Sequence, residues 1–179
     1  NAIHDQGHEA MMLKTAGGRK TTTGWWEALG WAPSTRWQDR IETIVRGFNA
    51  VLNEVRVRGF EGVIILDRGL VCQLALRRAR GLPSGFVLRW LQHLLPAPEV
   101  IVYFDLSVDE ALARVNARGT DVETLAGLSA LNAGYRELPE YAGFTLIDAD
   151  RPTADIVLDL LALTYQGGRQ PHQEALISC

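Results

Sequence analysis

The sequence predicts an α/β fold, a three-layer α/β/α arrangement with a parallel sheet between two layers of helices. Four short apolar runs alternate along the chain with segments of helical periodicity. The runs are Glu9–Lys14, Gly62–Leu66, Val100–Phe104 and Phe144–Ile147. The second and third are unbroken β-branched or aromatic runs, typical of strands covered on both faces. Strands that alternate with helices favour right-handed crossover connections and therefore parallel pairing.

The segments between these runs carry helix signals. Ser107 and Glu110 form a capping box that opens one helix, and Gly59 stands where another should stop. The predicted helices are one spanning Ile41–Val55, one over Phe86–Leu95, one from Ser107, one over Leu125–Leu138 and one over Thr153–Tyr165. No repeat or linker divides the chain, so residues 1–165 are predicted to form one domain, with residues 166–179 as a flexible tail.

Composition excludes several classes of protein. Apolar residues make up 47% of the 179 residues, which is enough for a core, yet no run approaches the length of a membrane span. A sequence pI near 5.8 argues against general nucleic-acid binding. The cysteines, Cys72 and Cys179, cannot form a disulfide framework, which indicates a reducing, cytoplasmic setting.

The basic residues are unevenly distributed. Through Leu95 there are 13 Lys and Arg against 8 Asp and Glu, and beyond it 5 against 13. Arginine supplies 16 of the 18 basic residues, and its guanidinium matches phosphate oxygens bidentately. A GC-rich genome with exposed helix faces explains the same composition, so this observation leaves both interpretations open.

Carboxylates follow three of the predicted strands. Asp67-Arg68 ends the second, Asp105 the third and Asp148 the fourth. Ligands of parallel sheets bind at the carboxyl ends of the strands. Asp67 there could hold Mg²⁺ through water or orient an attacking oxygen, and Arg68 could clamp a phosphate. The alternative is a helix cap followed by a solvated arginine.

Two further motifs have both functional and ordinary explanations. Thr15–Thr21 is not a phosphate loop, because Arg19 occupies the position directly before Lys20 where that motif needs glycine. Gly17-Gly18 there is either a turn that admits substrate to the backbone or an ordinary turn. Arg114 and Arg118, one helical turn apart, form either a basic lid over phosphates or a favourable helix C-terminus.

Taken in order, these segments resemble the thymidylate kinase-like nucleoside monophosphate kinases of the P-loop class. The resemblance covers about residues 7–165. The segments that carry it are GHEAMMLKTAGG, Asp39-Arg40, VIILDRG, VIVYFDLSVDEALARVNARG and LNAGYRELPEYAGFTLIDADRPTADI.

The resemblance implies ATP- and Mg²⁺-dependent phosphoryl transfer to a nucleotide. It implies that Arg68 clamps the acceptor's phosphate with Asp67 as metal or acceptor orienter, while Arg40, Gly17 and Gly18 contact the acceptor. Arg114 and Arg118 then serve ATP and the lid. It also implies a homodimer through an apolar helix face. The family's first strand and phosphate loop precede the part matched here, and that strand lies between others, so the printed chain is expected to lack a central strand.

The sequence departs from the family at a few places. Gly69 stands where an aromatic residue is usual, and Ala16 and Arg19 stand in place of proline and threonine. The segment 120–127 contains no arginine. These departures leave two alternatives: a kinase of a nucleoside or specialised small metabolite, and a catalytically inactive relative that binds a nucleotide or a partner.

Overall fold

The computed structural model describes residues 9–14, 35–119, 122–167 and 173–178. The strands are β1 (Ala10–Lys14), β2 (Val63–Asp67), β3 (Val100–Asp105), β4 (Thr145–Asp148) and β5 (Gln173–Ser178). The helices are α1 (Thr35–Val57), α2 (Leu70–Ala79), α3 (Phe86–Leu94), α4 (Val108–Arg118), α5 (Leu125–Arg136) and α6 (Thr153–Gly167), with a 3₁₀ turn over Pro139–Gly143.

The described strands form one five-stranded sheet in the order β1-β2-β5-β3-β4. Every neighbouring pair is parallel. The α/β prediction with a parallel sheet is therefore confirmed. All four predicted strands are present, each within one residue of its predicted start and end.

Two parts of the segment 166–179, for which a flexible tail is expected, lie in secondary structure. Helix α6 continues to Gly167, and β5 pairs with β2 on one side and with β3 on the other. Strand β5 thus occupies a central position, where the resemblance implied a gap. Pairing on both sides satisfies the backbone groups that β2 and β3 would otherwise leave open. Its short run, QEALIS, was too brief to stand out by periodicity.

Helix α2 was not predicted, although it is central to the core. Leu74 and Ala75 are 1% and 0% exposed, and six of its ten residues are buried. Helix α5 crosses it closely at Gly134, where an added Cβ would lie 2.5 Å from the Ala75 carbonyl oxygen. A helix buried nearly all round loses the one-sided apolar stripe by which helices are predicted.

Arg77, near the end of this helix, is buried, with 9% of its surface exposed. Its Nε donates to the Pro83 carbonyl oxygen at 2.7 Å and its Nη1 to Thr43 Oγ1 at 3.1 Å. Arg77 therefore joins α2 to α1 and to the loop before α3.

Both ends of α4 are capped by residues of the types that favour helix ends. Ser107 Oγ accepts a hydrogen bond from the Glu110 amide at 3.3 Å, as the capping box predicts. Gly119 ends the helix with a φ of 63°, which glycine adopts without strain. Among the described residues, no helix is long and apolar enough to cross a membrane.

Candidate functional site

Three carboxylates lie along one edge of the sheet, as predicted. Asp67 is the last residue of β2 and is in register with Lys14 of β1. Asp105 and Asp148 are the last residues of β3 and β4 and are in register with each other. Because all the strands are parallel, these strand ends define a single edge, which we call the carboxyl edge.

The two halves of this edge are staggered. Across β5, Asp67 is level with Ile177, which is in turn level with Val102. Asp105 lies three residues further along β3, which corresponds to about 10 Å of strand. The carboxyl edge therefore has a β2 half and a β3–β4 half at different heights, rather than one ring of acids.

In the β3–β4 half, the carboxylates are engaged within the fold. Arg136 donates from Nη2 to Asp105 Oδ1 at 2.8 Å, and the Asp150 amide donates to Asp148 Oδ1 at 2.9 Å. The Ala149 amide also donates to the Asp105 carbonyl oxygen at 2.9 Å. These contacts tie the ends of β3 and β4 to each other and to α5.

Arg114 belongs to the same network. Its Nε donates to Glu110 at 2.8 Å and its Nη1 to the Ala149 carbonyl oxygen at 2.8 Å. It thereby fastens α4 to the segment after β4. Arg118, one turn further, is exposed at the C-terminal end of α4.

The β2 half differs from the β3–β4 half in the contacts of its carboxylate and in its backbone conformation. Among the described residues, none makes a hydrogen bond or ion pair with the half-buried carboxylate of Asp67. Arg68 is exposed and has a φ of 68°, the only positive φ among the described non-glycine residues. The left-handed region costs an ordinary residue about 1–2 kcal/mol, and such strain concentrates at ligand sites.

Arg40 lies on the exposed side of α1, with its guanidinium carbon 5.4 Å from the centre of the Trp37 ring. It borders a cavity of about 580 Å³ between α1, the end of α2 and the start of α3, which Thr43 and Phe86 also line. Neither Asp67 nor Arg68 lines this cavity. Arg40 and the Asp67-Arg68 pair therefore do not share one cavity.

Gly17 and Gly18 lie outside the described residues. Sequence reasoning missed Arg136, which reaches Asp105 and has its guanidinium carbon 5.9 Å from the Tyr141 ring centre. A basic residue in the last turn of a predicted helix, near a strand-end carboxylate, was the available signal.

The described residues contain no group of three or more His, Cys, Asp or Glu side chains that could hold a metal ion. Asp67 alone, at an open strand end, is consistent with Mg²⁺, which is commonly bound through one or two carboxylates, water and substrate phosphates. This donor set fits a cation that arrives with its substrate.

A model of the thymidylate kinase family matches residues 38–160. The matched region contains five of the predicted site residues: Arg40, Asp67, Arg68, Arg114 and Arg118. It also contains β2, β3 and β4 and all the helices between them, so the match covers both halves of the carboxyl edge.

Individual relatives agree with this match. The chain is 27% identical over 130 residues to the probable thymidylate kinase of Pyrobaculum calidifontis, and 28% identical over 128 residues to that of Pyrobaculum aerophilum. Each alignment covers 70% of this chain and 62% of the relative. A thymidylate kinase of Akkermansia muciniphila is 32% identical over 90 residues, which are 49% of this chain and 43% of the relative. The chain spans under two thirds of the curated relatives it matches, and it belongs to the thymidylate kinase family.

Proposed function

We propose that the protein catalyses ATP-dependent phosphoryl transfer to a nucleoside monophosphate, with thymidylate as the preferred acceptor. The observation that carries this proposal is the Asp67-Arg68 pair. It ends a parallel strand, with Arg68 exposed on left-handed backbone, inside the region that matches the family. The names of the relatives supply the reaction and the acceptor.

Arg68 is the proposed clamp for the acceptor's phosphate. In phosphoryl transfer the protein contributes positioning and neutralisation of charge. An exposed guanidinium at a strand end can do both, because its donors match phosphate oxygens bidentately. Asp67, directly before it, is placed to orient the acceptor or to bind Mg²⁺ through water. Mg²⁺, when bound with ATP, supplies neutralisation of the phosphate charge.

Arg40 is the second proposed acceptor contact, since it borders the 580 Å³ cavity beside α1. Arg118 is proposed to serve the ATP side from the end of α4. Arg114, predicted for the same role, holds α4 to the Ala149 carbonyl. We therefore assign Arg114 a supporting role, in which it fixes the base of the segment that carries Arg118. Gly17 and Gly18 remain proposed acceptor contacts.

We further propose one kinase domain over residues 1–165, extended by β5, that forms a homodimer in the cytoplasm. Large apolar side chains stand exposed along α1 at positions 37, 44, 48, 51 and 55, with exposures of 38–67%. This spacing of seven, four, three and four residues is typical of helices that pack against a second helix. The buried thiol of Cys72 is consistent with a reducing compartment.

The test is a coupled assay of ADP formation by the full-length gene product with ATP and Mg²⁺. The acceptors are the common ribo- and deoxyribonucleoside monophosphates and the corresponding nucleosides. We expect the highest kcat/KM with thymidylate. Faster turnover of a nucleoside would show a kinase of a neutral acceptor instead. ATP binding without turnover of any acceptor would show an inactive relative.

A further inference from the structure

Helix α2 has a proposed acceptor contact directly before its start and a buried arginine near its end. Arg68 lies two residues before Leu70, where the helix begins, and Arg77 lies in the last turn. The helix has ten residues, six of them buried, and spans about 15 Å at the usual rise per residue. One short buried helix therefore joins the two arginines.

Arg77 connects two walls of the cavity that Arg40 borders. Its Nε donates to the Pro83 carbonyl oxygen at 2.7 Å, and its Nη1 donates to Thr43 Oγ1 at 3.1 Å. Its own carbonyl oxygen accepts a hydrogen bond from the Leu82 amide at 2.8 Å. All four of these residues line the cavity. One buried residue therefore holds α1 on one side of the cavity and the loop after α2 on the other.

Thr43 lies one helical turn from Arg40, on the same face of α1. Residues three apart are neighbours on the surface of a helix, and both of these side chains line the cavity. Thr43 is buried, whereas Arg40 is exposed. The Arg40 guanidinium makes no hydrogen bond or ion pair with other described residues. Its position therefore depends on the turn of α1 that carries it, and Thr43 fastens that turn to α2.

The packing of α1 against α3 does not replace this hydrogen bond. At Gly47, one turn beyond Thr43, an added Cβ would lie 2.8 Å from Leu91 Cδ1 of α3, so the two helices approach closely there. Apolar packing is non-directional, however, and it leaves the rotation of α1 about its own axis open. A hydrogen bond from a charged donor is strong and directional. The bond between Arg77 and Thr43 therefore determines how the turn that carries Arg40 is oriented.

We infer that Arg77 is a positioning residue for Arg40, acting through its hydrogen bond to Thr43. The inference rests on the proposed function, in which Arg40 and Arg68 both contact the acceptor. An acceptor that reaches both arginines spans a fixed distance, which α2 and the bond between Arg77 and Thr43 determine. A displaced Arg40 weakens acceptor binding equally in the ground state and in the transition state, so the KM for the acceptor changes rather than kcat.

Thr43→Val removes the acceptor of this hydrogen bond and leaves both arginines in place. In the full-length gene product we expect the KM for thymidylate to rise about three- to tenfold, the equivalent of one hydrogen bond, while kcat and the KM for ATP stay unchanged. Thr43→Ser keeps the hydroxyl and should retain the KM of the wild type. Thr164→Val is the matched control: Thr164 Oγ1 donates within α6 to the Leu161 carbonyl oxygen at 2.7 Å, and its loss should leave all kinetic constants unchanged.

A double-mutant cycle separates positioning from a purely structural role. Arg40→Ala should raise the KM for thymidylate, and adding Thr43→Val to it should raise that KM no further. An equal further rise would show that Thr43 acts without Arg40, and an unchanged KM in Thr43→Val alone would show that its hydroxyl serves only the fold. Either result overturns the inference and leaves the proposed function intact. An unchanged KM in Arg40→Ala would remove Arg40 from the acceptor site and overturn the inference with it.

A spectroscopic measurement tests the same inference without turnover. The Arg40 guanidinium carbon lies 5.4 Å from the centre of the Trp37 ring, so in protein labelled with fluorotryptophan the fluorine resonance of Trp37 reports the position of Arg40. Trp37→Phe assigns the resonance. Arg40→Ala and Thr43→Val should both shift it, whereas Thr43→Ser and Thr164→Val should not. An unshifted resonance in Thr43→Val would show that Arg40 keeps its place without the hydrogen bond, which overturns the inference.

Discussion

The charged side chains in the two halves of the carboxyl edge differ in the contacts that they make within the fold. In the β3–β4 half, Asp105 and Asp148 accept hydrogen bonds from Arg136 and from the Asp150 amide. In the β2 half, Asp67 has no such contact among the described residues, and Arg68 is exposed on strained backbone. Charges engaged within the fold hold its elements together. The exposure of Arg68 and its left-handed backbone, a kind of strain that concentrates at ligand sites, are our reason for assigning phosphate contact to the β2 half.

Replacing one arginine from each half tests this comparison most strongly. Arg68→Ala should lower kcat/KM by a factor corresponding to about 2–4 kcal/mol, the usual loss when a preorganised charge partner of the transition state is removed. Arg136→Ala is the matched control: its ion pair with Asp105 is 49% and 42% exposed and so contributes about 0–1 kcal/mol to stability. Steady-state kinetics of the full-length gene product and a melting curve for each variant provide the readouts. Equal loss of turnover in both variants would contradict the assignment to the β2 half.

A second pair of arginines compares a buried and an exposed position within one helix. Arg77→Ala removes hydrogen bonds to Pro83 and Thr43 from the interior, and the free energy of unfolding should fall by about 1–3 kcal/mol. Arg78→Ala removes only an exposed ion pair with Glu137, so a change of less than about 1 kcal/mol is expected. Urea denaturation measures both variants. If Arg78→Ala costs as much as Arg77→Ala, burial does not distinguish the two side chains.

These two adjacent arginines show where sequence reasoning reached its limit. The order of strands and helices could be predicted because apolar periodicity is local, and the capping box at Ser107 is local as well. The acids at the ends of β2, β3 and β4 could also be placed at one edge, since this follows from parallel topology. The burial of Arg77 could not be predicted, because it depends on contacts with Thr43 and Pro83. These residues come from α1 and from the loop after α2, and only the fold brings them next to Arg77.

Only those residues of the candidate site that have a local sequence signal could be predicted. Asp67 and Arg68 were identified by their position at the end of a strand. The engagement of Arg114 with the Ala149 carbonyl spans 35 residues, and no spacing rule reveals it. Strand β5 escaped prediction for a related reason: six residues carry too little periodicity, and their pairing with β2 and β3 is determined by the sheet.

The backbone at Arg68 allows a test that separates stability from function. Arg68→Gly should be more stable than Arg68→Ala by about 1 kcal/mol, because both variants lack the guanidinium but only glycine adopts a φ of 68° without strain. Activity should nevertheless fall as far as in Arg68→Ala, since both variants lack the guanidinium. Thermal unfolding and steady-state kinetics on the same preparations are sufficient. Equal stability of Arg68→Gly and Arg68→Ala would show that the backbone at this position is not strained.

The smallest expected effect concerns a carboxylate compensated within the fold. Burial acts to raise the pKa of Glu140, but hydrogen bonds from its own backbone amide, Arg89 and Gln92 together with the charge of Arg89 outweigh it, so the pKa lies below the usual 4.5. The contribution to stability is therefore fully present above pH 4.5 and is lost as the pH falls through the lowered pKa of the folded state. Melting temperatures of wild type and Glu140→Gln between neutral and acidic pH measure it. The wild type should lose more stability on acidification than the variant does, and parallel curves would show that Glu140 is not compensated in this way.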